Sequence, residues 1–345
     1  MELTEPTPER IMQIGLGFWA SKTLLTAVNL KLFTHLAEKE KLSGAQIKEL
    51  FGFKCTDRNM YDFLDTLTSF GFLQREGLMD TAVYSNGTDT NIFLDKNKPE
   101  YIGGILEMAN NRLYPFWGDL ESGLLTGLPQ NEGKSGSNNM FSTLYESPER
   151  LKEFVHAMSG IQMGNFIMFA QKFDFSNYKT LTDAGGSGAM LSLMLVKHQP
   201  HMQCLSFDLP MVNVIANENI NQFALGEKVK TYDGDFFSDA LPSADVVVMG
   251  NILHDWDEEK KLVLMKKAYD ALPDGGAFVA IENIIDDDRR KNSFGLMMSL
   301  NMLIETGTGF DYTFNDFTRW AIFVGFKSTL LIPLTGPSSA AVAIK

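Results

Sequence analysis

Thr180-Leu181-Thr182-Asp183-Ala184-Gly185-Gly186-Ser187-Gly188-Ala189-Met190-Leu191 reads as a short strand, a tight loop of small residues and the start of a helix. Leu181 gives the strand an apolar side chain, and Leu191 to Val196 continues as an apolar helical run. Between them no side chain is large, so the backbone can approach a ligand closely. An acidic residue, Asp208, ends the next apolar strand, Cys204-Leu205-Ser206-Phe207. A small-residue loop with a carboxylate one strand later suits a nucleoside: the loop cradles the tail and the carboxylate takes the ribose hydroxyls.

The dinucleotide pattern G-x-G-x-x-G is not met, because Gly186 and Gly188 are followed by Leu191 where the last glycine should stand. A nicotinamide cofactor is disfavoured, and a smaller nucleoside such as S-adenosylmethionine fits better. The competing reading is a strand-to-helix turn with no ligand.

Outward from this unit, strands and helices alternate. Strands are expected at 180–184, 203–207, 229–232, 244–249 and 277–282, with two more closing the chain at Ser328–Pro333 and Ala340–Ile344. A helix at 257–271 ends in Leu272-Pro273-Asp274-Gly275-Gly276. Such alternation builds a mostly parallel sheet covered on both faces. The fold class expected is α/β, a Rossmann-like sheet preceded by an all-helical or winged-helix domain.

Before the sheet, Ile11, Ile14, Phe18 and Leu25 recur at helical spacing, and Leu30, Phe33 and Leu36 continue the pattern. The segment is apolar nearly all round, which points to a dimer interface as its second surface. Ser43-Gly44-Ala45-Gln46-Ile47 is an N-cap and a short helix, Asn59–Phe70 a second helix, and 72–77 with 79–85 a two-stranded wing. Further helices are expected over 99–128 and Pro148–Phe173, separated by a polar loop at Gln130–Asn139. The division expected is 1–100 for dimerisation, 101–175 as a helical linker lining an acceptor pocket, and 176–345 for catalysis.

Composition narrows the function. The chain has 345 residues, 44% hydrophobic and 21% charged, with net charge -13. Phosphate neutralisation supplies most nucleic-acid affinity, and the second helix of the winged unit carries no basic stripe: Lys48, Lys54, Arg58 and Arg75 are offset by Glu49, Asp57, Asp62 and Asp65. A ligand-responsive DNA-binding protein is therefore the weaker rival. Cys55 and Cys204 lie far apart and read as buried thiols in a reducing compartment. The apolar stretch Ile11–Phe33 is interrupted by Gln13, Ser21, Lys22, Asn29 and Lys31, so no membrane span is expected, and the location expected is cytoplasmic.

In a parallel sheet, ligands sit outside the carboxyl ends of the strands. Besides the loop and Asp208, two features fall there: Gly234-Asp235-Phe236-Phe237, and Met249-Gly250-Asn251-Ile252-Leu253-His254-Asp255-Trp256. Asp235 can accept from an adenine amino group while Phe236 packs on the ring. His254 is the one histidine of five at a strand end beside the nucleoside site. An imidazole can take a proton from an acceptor hydroxyl near neutral pH, and benefits from an orienting carboxylate. Glu282, closing the next strand, and Asp311 are the candidates for that carboxylate. The competing reading makes His254 a cap for the helix that begins near Trp256. No His/Cys cluster has metal-ligand spacing, Asp286-Asp287-Asp288 reads as a solvated charge run, and no G-x-S-x-G elbow is present.

Ile252-Leu253-His254-Asp255-Trp256-Asp257, Asp274-Gly275-Gly276, Phe207-Asp208-Leu209-Pro210 and Gly234-Asp235-Phe236-Phe237 resemble the plant caffeate and animal acetylserotonin type of S-adenosylmethionine-dependent O-methyltransferase. The likeness covers nearly the whole chain and is strongest to bacterial members of secondary metabolism. It implies His254 as catalytic base, with Glu282 and Asp311 orienting it and Glu305 as a substitute for the shorter Asp311. It places the cofactor against Tyr145, Gly185, Asp208, Asp235, Phe236 and Asn251, and the acceptor against Met163, Asn301 and Met302, with Trp117 and Met158 beside them. The family loop is D-x-G-x-G-x-G, whereas this chain has Asp183, Gly185, Ser187 and Ala189. That departure keeps open an S-adenosylmethionine-binding enzyme that isomerises, cyclises or decarboxylates without transferring a methyl group.

Overall fold

The computed structural model describes residues 6–135 and 147–345. The chain forms two compact units, Met1–Pro115 and Phe116–Lys345.

In the first unit, helices Glu9–Gly15, Gly17–Asn29 and Leu32–Lys39 lead into a short strand, β1 (Leu42–Ser43). Ser43 then caps helix Gly44–Phe51 reciprocally with Gln46: its hydroxyl accepts from the Gln46 amide, and the Gln46 side chain accepts from the Ser43 amide. Helix Asp57–Ser69 follows, capped by Thr56. β2 (Leu73–Glu76) and β3 (Val83–Asn86) complete an antiparallel sheet in the order β1-β3-β2. This is the expected helix, helix and wing, with a third strand added by Leu42 and Ser43. Phe33, Leu36, Ile47, Leu64, Leu67 and Tyr84 form its core. Three basic side chains of the unit are paired with acids: Lys48 with Asp57 at 2.6 Å, Arg58 with Asp62 at 3.1 Å and Arg75 with Asp65 at 2.8 Å.

The first two helices differ from the expectation of burial. Ile11, Ile14, Phe18 and Trp19 are exposed, Ile14 by 76%. Glu9–Asn29 is also long and apolar enough to cross a membrane by length and composition, although Leu16 divides it. Cys204 is buried as expected, but Cys55 is exposed in the turn between two helices.

The second unit is a seven-stranded sheet in the order β6-β5-β4-β7-β8-β10-β9. Its strands are β4 (Thr180–Ala184), β5 (Gln203–Asp208), β6 (Val229–Asp233), β7 (Val246–Gly250), β8 (Ala277–Glu282), β9 (Ser328–Pro333) and β10 (Ser339–Ile344). β4 to β8 pair in parallel, and β10 runs antiparallel to both β8 and β9. Alternate residues of β8 enter opposite cores. Ala277, Val279 and Ile281 pack on one face with the helices Pro148–Lys172 and Met190–His198; Phe278 and Ala280 pack on the other with Glu258–Ala271 and Phe314–Val324. Burial on both faces explains why β7, β8 and β10 read as unbroken apolar runs.

The chain order reverses at β4, whose neighbours are β5 and β7. Connections therefore leave in opposite directions, and a crevice opens above the carboxyl end of β4. The Gly-rich stretch, Asp208 and His254 follow the strands that meet there.

Candidate active site

The loop after β4 is shaped by close packing. Gly185 has φ +75°, and a Cβ there would lie 2.5 Å from Ile252 Cδ1 and 3.6 Å from the Phe236 ring. Gly185, Ile252 and Phe236 thus come together from three strand ends. A Cβ on Gly186 would strike the Ser206 hydroxyl at 2.2 Å. Ser187 and Ala189, standing where the family pattern has glycine, adopt φ +52° and +58°. A side chain in that region meets its own backbone at a cost of about 1–2 kcal/mol. The Asn219 side chain donates to the Gly188 carbonyl at 2.9 Å.

Asp208 ends β5 with both carboxylate oxygens engaged by backbone amides, Ser187 at 2.8 Å and Leu209 at 2.7 Å. Each oxygen keeps a further lone pair for a hydroxyl donor. Burial raises this carboxyl to about 6 against those two amides. Asp183, buried beneath the loop, is raised to about 7, again chiefly by burial. Asp235 accepts from the Phe237 amide at 2.8 Å, and Phe236 meets Phe237 and Trp256 edge to face. Asn251 has φ +53°, and its side-chain oxygen is buried without a partner. An unsatisfied buried acceptor is costly and calls for a donor from a ligand. The close-packed Gly185, the spare acceptor capacity of Asp208 and the orphaned Asn251 oxygen fit a nucleoside of the S-adenosylmethionine kind. Tyr145 lies outside the described residues.

His254 lies in a short 3-10 turn, Leu253–Asp255, just past β7, and is buried. Helix Glu258–Ala271 is capped by Asp257, whose carboxylate accepts from the Lys260 amide at 2.9 Å, so His254 is not the cap. The Nδ1 atom of His254 lies 3.4 Å from Asp311, and Nε2 lies 3.6 Å from Asp255. Glu282 accepts from the His254 backbone amide at 3.1 Å, where the sequence led us to expect a grip on the ring. Burial alone would lower the imidazole; Asp311 first, then Asp255 and Glu282, overcome it and raise it to about 10. Glu282 is itself raised by burial, and Asp255 is raised by burial to about 7. Glu305 is tied elsewhere: the Asn131 side chain donates to its backbone oxygen at 2.7 Å and its carboxylate at 3.2 Å.

The acceptor-side residues fall on three helices. The Trp117 indole donates to the side-chain oxygen of Asn301 at 2.9 Å, which joins those two side chains directly. Asn301 and Met302 lie on helix Ser293–Thr306, with Met302 buried. Met158 and Met163 lie half-buried on Pro148–Lys172, and Met163 packs against the sheet core. Gln130 and Asn131, at the start of the polar loop expected over Gln130–Asn139 (residues 136–139 lie outside the described residues), are buried, and the Gln130 amide donates to the Ile304 carbonyl at 2.8 Å. Their side-chain and backbone donors serve the last carbonyls of helix Ser293–Thr306, which would otherwise go unsatisfied. A separate cavity of about 580 Å³, lined by Ile284, Asn292, Phe314 and Leu331 among others, holds none of these residues.

Two members of the His254 cluster escaped the sequence reading. Asp255 was visible beside His254, but its side chain's turn toward Nε2 was not. Lys261 is fully buried and stands at the head of the stripe Lys261, Leu264, Met265 and Ala268. A lysine at an apolar helical position was the signal that could have found it.

Comparison with known proteins identifies the family. Residues 117–327 match the model of the O-methyltransferase domain, and residues 12–96 that of the O-methyltransferase dimerisation domain. The tetracenomycin polyketide synthesis 8-O-methyl transferase TcmO of Streptomyces glaucescens is 35% identical over 338 residues, 98% of this chain and 97% of that protein. The 3-hydroxy-5-methyl-1-naphthoate 3-O-methyltransferase of Streptomyces sahachiroi is 28% identical, covering 97% and 94%. The crystal structure of human N-acetylserotonin methyltransferase in complex with S-adenosylmethionine superposes with a TM-score of 0.90, at 26% identity over 100% of this chain and 99% of that one. The α/β sheet, the N-terminal dimerisation domain and the matched sequence together place this chain in the family of S-adenosylmethionine-dependent O-methyltransferases.

Proposed function

We propose that this enzyme methylates a phenolic or enolic hydroxyl of a small aromatic, polyketide-type compound, with His254 as general base. One observation carries the reading: a buried imidazole stands at the end of β7 with Asp311 at Nδ1 and Asp255 at Nε2. S-adenosylmethionine supplies the electrophilic methyl group on a sulfonium. His254 takes the hydroxyl proton at Nε2, and Asp311 stabilises the imidazolium that forms. Most of the rate comes from holding the acceptor oxygen at reacting distance. The polyketide-type acceptor is supported by the activities for which the two Streptomyces relatives are named.

In this reading Gly185, Asp208, Asp235, Phe236 and Asn251, with Tyr145, hold the cofactor. Trp117, Met158, Met163, Asn301 and Met302 face the acceptor. The functional division is 1–100, 101–175 and 176–345. The apolar side chains Ile11, Ile14 and Trp19 meet a second copy of the chain, which accounts for their exposure. The enzyme works in the cytoplasm with neither nucleic acid nor membrane as partner.

Replacing His254 with Ala should cut turnover by about 10²–10⁴-fold, while calorimetry finds the same affinity for S-adenosylmethionine. Retained turnover would remove His254 from the base role. The second reading, a non-methylating enzyme on the same scaffold, is favoured by the strained Ser187 and Ala189. Methyl-labelled cofactor decides between them: label left wholly on the cofactor while the acceptor is converted would select the second.

A further inference from the structure

Gly188 is tightly enclosed by side chains from two helices. A Cβ there would lie 2.9 Å from Asn219 Nδ2, 3.0 Å from Val155 Cγ1 and 3.2 Å from Ser159 Oγ. Its φ lies outside the left-handed region, so glycine stands there for room. Ser187 and Ala189 on either side carry the left-handed turns instead, at φ +52° and +58°. Residues held in that conformation persist in it only when their surroundings over-determine them. Ser187 is held on one side, its amide donating to Asp208 at 2.8 Å. The Leu193 amide bonds to the Ala189 carbonyl at 2.9 Å, so the helix ladder begins one residue past Gly188. Between these two fixed points, the Gly188 carbonyl accepts from the Asn219 side chain at 2.9 Å.

Asn219 projects from helix Pro210–Gln222, which is anchored independently of it. Val212, Ile215, Ala216 and Ile220 are buried. The Asn213 side chain lies 3.0 Å from each of the backbone carbonyls of Asp208 and Tyr232, near the ends of β5 and β6. We propose that Asn219 is a positioning residue for S-adenosylmethionine: its side-chain amide clamps the Gly188 carbonyl and so holds Ser187 and Ala189 in the left-handed turns that set the Ser187 amide on Asp208. The inference rests on the reading of this loop and Asp208 as the cofactor's seat. A loop with glycine at both positions takes up left-handed turns without steric cost, and a clamp adds little to it. With Ser187 and Ala189 in those places, Asn219 supplies from outside the constraint that the backbone lacks. It acts through the loop and needs no contact with the cofactor.

Asn219→Leu keeps the size of the side chain and removes the donor. The calorimetric Kd for S-adenosylmethionine should rise by about five- to tenfold. In turnover, the loss should fall on KM for the cofactor more than on kcat. In ligand-free protein, hydrogen exchange of the Ser187 amide should quicken by a similar factor, a readout that needs neither cofactor nor acceptor. A double-mutant cycle then ties the clamp to the strained turn. In a Ser187→Gly background, the same Asn219→Leu change should raise Kd by only about two- to threefold. An asparagine that serves stability alone would lower the melting temperature and leave both Kd and Ser187 exchange at wild-type values, and that result overturns the proposal. An equal rise in Kd in both backgrounds overturns it too. Should Asn219→Leu fail to fold, Asn219→Ser, too short to reach the carbonyl, carries the same comparisons. The two readings fail separately. Cofactor affinity unaltered by Asp208→Ala would sink the seat, whereas Ser187 exchange in ligand-free protein still decides whether Asn219 holds the loop.

Discussion

Asp311 stands 3.4 Å from Nδ1 of His254, while the longer Glu282 reaches only the backbone amide of the same histidine. The two acids therefore do different work. Asp311→Asn removes the charge that stabilises the imidazolium and should lower kcat by about 10–100-fold. Glu282→Gln keeps an acceptor for the amide and should cost less than about fivefold. Single-turnover rates at saturating cofactor compare them, and an equal loss in both would contradict the division of labour.

The pH dependence of turnover follows from the imidazole's surroundings. Raised to about 10, His254 keeps its proton across neutral pH in the ligand-free protein. A base must shed that proton first, so kcat/KM should climb with pH from 6 toward 10. Asp311→Asn takes away a negative neighbour and should move this limb to lower pH. A profile flat from 6 to 9 would be incompatible with His254 acting as base in the free enzyme.

The strained loop predicts a stabilising substitution. Ser187 holds φ +52°, its side chain is only half-buried, and its one described loop bond to Asp208 comes from the backbone. Ser187→Gly keeps that amide and should raise stability by about 1 kcal/mol. Urea denaturation measures it, and a loss of stability would show that the hydroxyl contributes more than the strain costs.

Asp183 links the cofactor loop to stability. Its folded value of about 7 lies above the ordinary carboxyl value, so its contribution is fully present at low pH and is lost as pH rises through 7. Asp183→Asn cannot ionise. It should match wild type near pH 4 and exceed it by about 1–3 kcal/mol at pH 8. Parallel melting curves at the two pH values check this. A variant weaker than wild type at pH 8 would mean that the ionised carboxylate has a stabilising partner.

Local patterning alone determined much of this protein. The strands β4 to β10 were located to within about two residues, most plainly β7, β8 and β10, whose unbroken apolar runs follow from burial on both faces. Ser43 with Gln46 and the small residues after β4 were equally legible, since a cap and a close approach are decided within a few residues. The LHDW block marked the end of β7 as the reactive edge. What only the tertiary structure decided was which atoms meet there. Glu282 and Asp311 are both acids near one histidine in sequence terms, but strand register and the path after helix Ser293–Thr306 send one to the backbone and the other to the ring. Asn131 reaches Glu305 across 174 residues, and the buried Lys261 ammonium lies over the ring of Phe310, 49 residues later in the chain. Partners of that kind depend on distances in folded space, which residue spacing along the chain does not encode.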